Sequence, residues 1–200
     1  HSVTISGTGS YVPKKVLTNQ DLEAIVDTSD EWISSRTGIK ERRIASGTQS
    51  TSDLATEAAK AAMLDANVSG EEIDLIIIAT ISPDAFFPAT ACYVQNNIEA
   101  TNALCFDVSA ACSGFLYAMQ IAETLISSGQ RKNALIIGAE KLSSMVDWED
   151  RNTCVLFGDG AGAVVLTIDE NNDKGRKLLS SSLGSDGRQA DILHVPGGGS

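Results

Sequence analysis

Two hundred residues, 42% hydrophobic and 20% charged, can bury a sizeable core as one large domain or two small ones. A net charge of -11 argues against nucleic acid and anionic membrane surfaces as partners. The longest apolar runs, such as Leu75 to Ala79, are far too short to span a bilayer. Two histidines and four cysteines, with no CxxC pair, make a zinc or haem site a poor reading and fit a reduced, cytoplasmic setting.

In chain order, Val3 to Thr8 alternates β-branched and small residues and predicts a first strand closed by Gly7 and Gly9. Thr18 or Asn19 is expected to cap a short helix with Leu22, Ile25 and Val26 on its inner face. Thr28 to Glu31 matches a capping box, so a second helix should carry Trp32, Ile33 and Arg36 and stop at Gly38. Ser50 to Ala66 predicts a longer helix using Leu54, Ala58, Ala62 and Leu64, with Asn67 as its stop. Ile73 to Thr80 is a continuous apolar run, the mark of a central strand covered on both faces. A helix is expected from Pro88, a strand from Ala103 to Val108, and a long amphipathic helix after it. Ala134 to Ala139 and Ala163 to Ile168 read as further buried strands, Asp169 to Lys177 as a turn, and Leu178 to Leu183 as a weaker strand. Strands alternating with helices indicate an α/β fold with a mainly parallel sheet.

Cys112 stands where the strand ending at Val108 meets the long helix. A thiol there is held out of the backbone and faces unpaired helix N–H groups, whose partial positive charge favours a thiolate nucleophile. The alternative is a small buried cysteine in an Ala/Ser-rich packing turn. Trp32 and Arg36 lie four apart and share a helix face, so they suit a flat heterocycle; equally, Arg36 can simply cover Trp32. Arg151 belongs either with that pair or among the acidic residues Asp147, Glu149 and Asp150. Gly158 to Gly162 is rejected as a phosphate loop because it leads into a strand instead of opening a helix. Phe86 and Phe87 form an apolar tip between prolines. His194, in an irregular tail, is a poor candidate for the base that a cysteine nucleophile wants.

Three segments occur in order: D-T-S-D-E-W-I-S-S-R-T-G-I-K-E-R (Asp27 to Arg42), D-V-S-A-A-C-S-G-F (Asp107 to Phe115) and F-G-D-G-A-G-A (Phe157 to Ala163). Together they resemble β-ketoacyl-acyl-carrier-protein synthase III, the condensing enzyme that starts bacterial type II fatty-acid synthesis. The resemblance implies a thiolase-like fold, layered αβαβα in the full enzyme, with a mixed, mainly parallel five-stranded sheet flanked by helices in the part seen here. It places residues 1–168 in an N-terminal half and 169–200 at the start of a connection to a second half beyond Ser200.

The same resemblance implies that Cys112 takes the acyl group from an acyl-CoA. It implies that Trp32 and Arg151 sandwich the adenine of coenzyme A, with Thr28, Arg36 and Thr37 contacting its nucleotide and phosphates. Phe87, Leu142, Phe157 and Leu193 would line the acyl pocket, Phe87 across a homodimer. The catalytic His and Asn would come from beyond Ser200. The expected reaction is a decarboxylative Claisen condensation of a short acyl-CoA with malonyl-acyl carrier protein, needing no resident cofactor because the coenzyme A thioester is a substrate. Two other functions remain open: acyl transfer to a small amine or alcohol, and a non-catalytic half serving as a dimerisation subunit.

Overall fold

A computed structural model describes residues 1–169 and 176–198. In chain order the elements are β1 (Val3–Tyr11), β2 (Lys15–Thr18), α1 (Asn19–Glu23), α2 (Asp30–Thr37), β3 (Glu41–Ile44), α3 (Thr51–Ala66), β4 (Leu75–Ala79), α4 (Thr90–Asn97), β5 (Leu104–Val108), α5 (Gly114–Ser127), β6 (Asn133–Lys141) and β7 (Asp159–Ile168). Five strands form one sheet in the order β1-β7-β6-β4-β5, and β2 pairs with β3 in a separate two-stranded ribbon. The β6-β4 and β4-β5 pairs are parallel, whereas β7 runs against both β1 and β6, so four of the five strands point the same way. This is the five-stranded mixed α/β sheet that the resemblance implies; the apolar runs predict a mainly parallel sheet, and two of the four pairings are antiparallel.

The β4 run is wholly buried because it feeds two cores at once. Ile76 and Ile78 face the core under α3 and α4, while Leu75 and Ile77 face the core under α5. On β6, Leu135 and Ile137 go to the first core and Ala134 and Ile136 to the second. Period-two alternation therefore survives inside an uninterrupted apolar stretch, since both faces of the sheet are covered.

Helix α3 lies against the sheet through Ala55, Ala58, Ala59 and Ala62, all fully buried. Small residues let its backbone come down onto β1, and the contact points there are Gly7 and Gly9. A Cβ on Gly7 would overlap the Ala62 carbonyl oxygen and the Ala66 nitrogen, and one on Gly9 would overlap the Ala58 carbonyl oxygen and the Ala62 nitrogen. The two glycines thus do not close the strand, which continues to Tyr11. They sit within it because a helix backbone occupies the space of their side chains.

Other departures have local causes. Thr18, not Asn19, caps α1 with a reciprocal Asp21 bond, and Asn19 is buried. Ser29, not Thr28, caps α2, its hydroxyl accepting from the Trp32 N–H. Ile25 lies past the end of α1 and is exposed, and Leu64 is 83% exposed because Met63 takes the inward position on α3. Helix α4 starts at Thr90 rather than Pro88. The ribbon of β2 and β3 escapes sequence reading, since K-V-L-T and E-R-R-I lack clean alternation. Leu178 to Leu183 forms no strand; an isolated bridge joins Thr4 to Lys177, and Leu179 is exposed. Most of the predicted turn from Asp169 to Lys177 lies outside the described residues.

Candidate active site

Strands β4, β5 and β6 are mutually parallel, so their carboxyl ends share one edge of the sheet, the edge where ligands of open α/β sheets bind. The segment after β4 carries Phe86 and Phe87, the one after β5 carries Cys112, and the one after β6 carries Leu142. Strand β7 runs the other way and begins there, with Asp159 opposite Lys141, so Phe157 arrives at the same edge. Topology thereby gathers residues that are far apart in the chain.

Cys112 lies in a short 3-10 turn, Ala111–Ser113, that leads into α5. Ala111 holds φ at +44°, a left-handed backbone that L residues with a Cβ rarely adopt, and such strain amounts to about 1–3 kcal/mol. The Ser113 N–H donates to Ala110 O at 3.2 Å, and the Gly114 N–H donates to Ala111 O. Gly114 is buried, and a Cβ there would stand 3.1 Å from the Ala79 Cβ, so helix α5 starts directly against β4. The four cysteines now separate. Cys112 is exposed, Cys92 and Cys105 are half-buried, and Cys154 is buried. Burial, then Cys92 and Asp107, pushes the Cys105 thiol up to about 12. Burial first, and then Asp150, raises that of Cys154. Neither suits a nucleophile, and the packing-cysteine alternative for Cys112 does not describe its place in this chain.

Three carboxylates that sequence reading missed hold this edge together. Asp107 on β5 accepts from the Thr90 and Ala91 N–H groups at 2.6 and 2.9 Å, capping α4 and fixing the end of the Phe86–Phe87 loop. Glu140 on β6 accepts from the Ile81 and Ser82 N–H groups at 2.9 and 3.1 Å and from the Ser82 hydroxyl. Asp159, buried at the start of β7, accepts from Ala45 N–H at 2.7 Å, Ser143 N–H at 2.9 Å and Ser143 Oγ at 2.6 Å. The Gly-rich Phe157 to Ala163 segment has its explanation here: its aspartate anchors two loops, and a Cβ on Gly158 would meet Arg42 Cβ at 2.9 Å. Replacing Asp107 with alanine should lower stability by about 1–2 kcal/mol, as for a lost helix cap. Chemical denaturation, with faster amide exchange at Thr90 and Ala91, checks this; unchanged exchange at both amides would refute the anchoring role.

The second feature surrounds Trp32. A small core of Leu22, Ile33, Cys154 and Val155 joins α2 to the 3-10 turn Cys154–Leu156, with Trp32 and Trp148 packed at its margin. The Arg36 and Arg151 guanidinium carbons lie 4.6 and 4.4 Å from the Trp32 ring centroid. Arg151 also reaches Asp27 at 3.5 Å. The structure thus brings Arg151 to the Trp32–Arg36 pair, which spacing alone could not do. Thr28 Oγ1 and Arg151 Nε are buried without a hydrogen-bond partner, and of the two residues it is Arg151 that lies over the Trp32 ring. Thr37 Oγ1 is already engaged at the end of α2, donating to Ile33 O at 2.8 Å and accepting from Ile39 N–H at 3.0 Å.

Of the remaining candidates, Phe87 is 84% exposed at its loop tip, and Leu142 and Phe157 are half-buried. Leu193 is 66% exposed and follows the 3-10 segment Gly187–Ile192, and His194 beside it is exposed.

Several carboxyls in these capping positions titrate low. Hydrogen bonds from Asn19 first and Ser34 second hold Asp30 below its ordinary value. The Thr153 hydroxyl and Asn152 N–H do the same for Asp150, and the Arg188 side chain brings Asp186 to about 2. A carboxyl whose folded value is depressed adds stability above its unfolded value, near 4, and loses it as the pH falls through the folded value. The melting temperature should therefore fall between about pH 4 and pH 2, and a flat profile over that window would refute these contacts.

The family model for 3-oxoacyl-[acyl-carrier-protein (ACP)] synthase III matches residues 106–187. The chain is 58% identical over 196 residues to the β-ketoacyl-[acyl-carrier-protein] synthase III of Caldanaerobacter subterraneus subsp. tengcongensis, covering 98% of this chain and 58% of that protein. The chain is thus similar to β-ketoacyl-acyl-carrier-protein synthases III over nearly its whole length. The β-ketoacyl-[acyl-carrier-protein] synthase III of Aquifex aeolicus is 58% identical over 191 residues, covering 96% of this chain and 60% of that protein. The synthase III crystal structure from Pseudomonas aeruginosa PAO1 superposes with a TM-score of 0.93 at 44% identity, covering all of this chain and 62% of that one. The priming β-ketosynthase of the R1128 polyketide pathway gives a TM-score of 0.82 at 35% identity, covering 84% and 50%. The chain thus spans about three fifths of the length of the synthases III it matches. No helix among the described residues is long and apolar enough to cross a membrane.

Proposed function

We propose that the protein containing this chain is an acyltransferase that condenses a short acyl-CoA with malonyl-acyl carrier protein. The observation that carries this reading is an exposed Cys112 on a strained turn at the carboxyl edge of the sheet, in a chain that also holds the Trp32–Arg151 stack. The Cys112 thiolate attacks the thioester carbonyl of acetyl-CoA or a similar primer, forming an acyl-cysteine and releasing coenzyme A as its thiolate. The Ser113 and Gly114 amides are engaged within the turn, so the oxyanion donor we assign is the Cys112 N–H, a kind of contact worth about 3 kcal/mol. Malonyl-acyl carrier protein then loses carbon dioxide, and its carbanion attacks the acyl-cysteine to give 3-oxoacyl-acyl carrier protein and the free thiol. The His and Asn that assist decarboxylation belong, in this reading, to a second half.

Within the proposal, residues 1–168 form the first half and 169–200 begin the connection. The outer face of α5, where Leu116 and Ile121 are exposed, fits a surface that a further layer covers. Trp32 and Arg151 hold the adenine, and Thr28, Arg36 and Thr37 contact the nucleotide. Phe87, Leu142, Phe157 and Leu193 line the acyl pocket of a cytoplasmic homodimer that uses no resident cofactor. The likeness to a polyketide-priming ketosynthase favours one second reading, condensation onto a carrier protein outside fatty-acid synthesis. Both readings require the acyl-cysteine. Label from radioactive acetyl-CoA should stay on the full-length protein and be lost in Cys112→Ser; label retained by that variant would sink the assignment.

A further inference from the structure

We propose that Asn19 and Arg42 are positioning residues for the nucleotide clamp, holding its Trp32 side and its Arg151 side in register through one buried hydrogen-bonded chain. The proposal rests on the reading of Trp32 and Arg151 as the grip on the adenine of coenzyme A.

Arg42, on β3, is only 6% exposed. Its Nη1 donates to Leu17 O at 3.1 Å, and its Nη2 donates to Asn19 Oδ1 at 2.9 Å and Val155 O at 3.2 Å. Its Nε is buried and unpartnered, and no ion pair among the described residues includes it. A buried guanidinium without a carboxylate is a poor way to fill space, since an apolar side chain of similar volume would avoid the desolvation. Burial accordingly lowers its pKa.

Its acceptors make sense of the position. Val155 lies in the turn that follows Arg151, which is itself fastened when the Cys154 N–H donates to Asp150 O at 3.0 Å. Asn19 is fully buried, and its Nδ2 donates to Asp30 Oδ1 at 2.7 Å and to Ile39 O at 2.8 Å. Asp30 is the first residue of α2, and Ile39 follows its C-cap Gly38. One amide therefore grips both ends of the helix that carries Trp32 and Arg36. The oxygen of the same amide is held by the guanidinium that holds the Arg151 segment. The ion pair from Arg151 to the fully exposed Asp27 is a weak substitute, because water and salt screen it. The Arg151 guanidinium covers the Trp32 face directly at 4.4 Å, so a flat ring enters between them only as the Arg151 side chain lifts off while the two segments keep their spacing. The Asn19–Arg42 chain links those segments.

The test compares two acyl donors on the full-length protein: acetyl-CoA, and acetyl-pantetheine, which lacks the nucleotide. Asn19→Ala and Arg42→Lys should lower kcat/KM for Cys112 acylation by acetyl-CoA about tenfold, chiefly through KM, and leave that for acetyl-pantetheine within about twofold. Asp30→Asn keeps an oxygen that can accept from Asn19 and should retain the acetyl-CoA value, whereas Asp30→Ala should lose it. The Asp30 pair, on a more accessible side chain, carries the test if Asn19→Ala does not fold. Equal losses with both donors would overturn the proposal in favour of a general structural role, as would no loss with either. If the unaltered protein uses the two donors equally well, the clamp reading itself fails, and this proposal falls with it.

Discussion

Replacing Cys112 by serine in the full-length protein is expected to cut acyl transfer from acetyl-CoA by about 10³-fold or more while leaving the melting temperature nearly unchanged. The two halves of that expectation come from different facts. Activity should collapse because a serine hydroxyl ionises far less readily than a thiol near neutral pH, and a helix N-terminus alone cannot make up the difference. Stability should hold because Cys112 is exposed, and the strain of the turn resides in Ala111, at φ +44°, rather than in the thiol. Serine at Cys105 or Cys154 should show the reverse pattern, with the acyl-enzyme retained and stability reduced, since these thiols are withdrawn from water. Intact-mass measurement of the acyl adduct, run beside thermal melts, separates these three cysteines. An adduct persisting in Cys112→Ser would remove the nucleophile assignment.

Gly9→Ala should be severely damaging for so small a substitution. Adding a methyl group to a well-packed core typically destabilises by about 1–3 kcal/mol because side chains can shift. At Gly9 the added Cβ meets helix backbone, the Ala58 carbonyl oxygen and the Ala62 nitrogen, and backbone cannot rotate aside. Strand β1 and helix α3 would have to part along their length, opening the core that Leu54, Ala55 and Ala58 close. We expect a loss at or above the upper end of that range, a large share of the about 5–15 kcal/mol that holds a typical domain folded. Urea unfolding of the full-length protein measures it. Gly162→Ala serves as the control, because a Cβ there meets nothing within 4 Å. Equal midpoints for the two variants would refute the close-approach account.

The site was legible in the sequence to different depths. Cys112 could be singled out because a strand, a run of small residues and an amphipathic helix meet there, and each is a local pattern. Trp32 and Arg36 could be paired because a helix repeats every 3.6 residues. Asp107, Glu140 and Asp159 could not be found that way. Their partners are backbone N–H groups of other segments, and every residue but proline offers one, so no side-chain spacing announces them. Arg42 stands in the sequence only as the last residue of a resembling segment, and Asn19 as one of two candidate helix caps, because burial and long-range partners leave no periodic trace.

What the sequence alone determined is what neighbouring residues decide among themselves: the five sheet strands, the main helices, the cap at Ser50, the stops at Gly38 and Asn67, and the turn that carries Cys112. Three segments of its sequence added the resemblance to the synthases III. Tertiary structure alone decided what depends on contacts between distant residues. It placed β7 against β1 and β6, which carries Phe157 to the edge where Cys112 stands. It set α3 onto Gly7 and Gly9, which turns two apparent strand-enders into points where the helix backbone comes down onto the sheet. It also laid Arg151 over Trp32 and ran the Asn19–Arg42 chain beneath them. The division has a simple physical origin: backbone periodicity and capping act within a few residues, whereas packing, burial and hydrogen bonding between segments exist only once the chain has closed on itself.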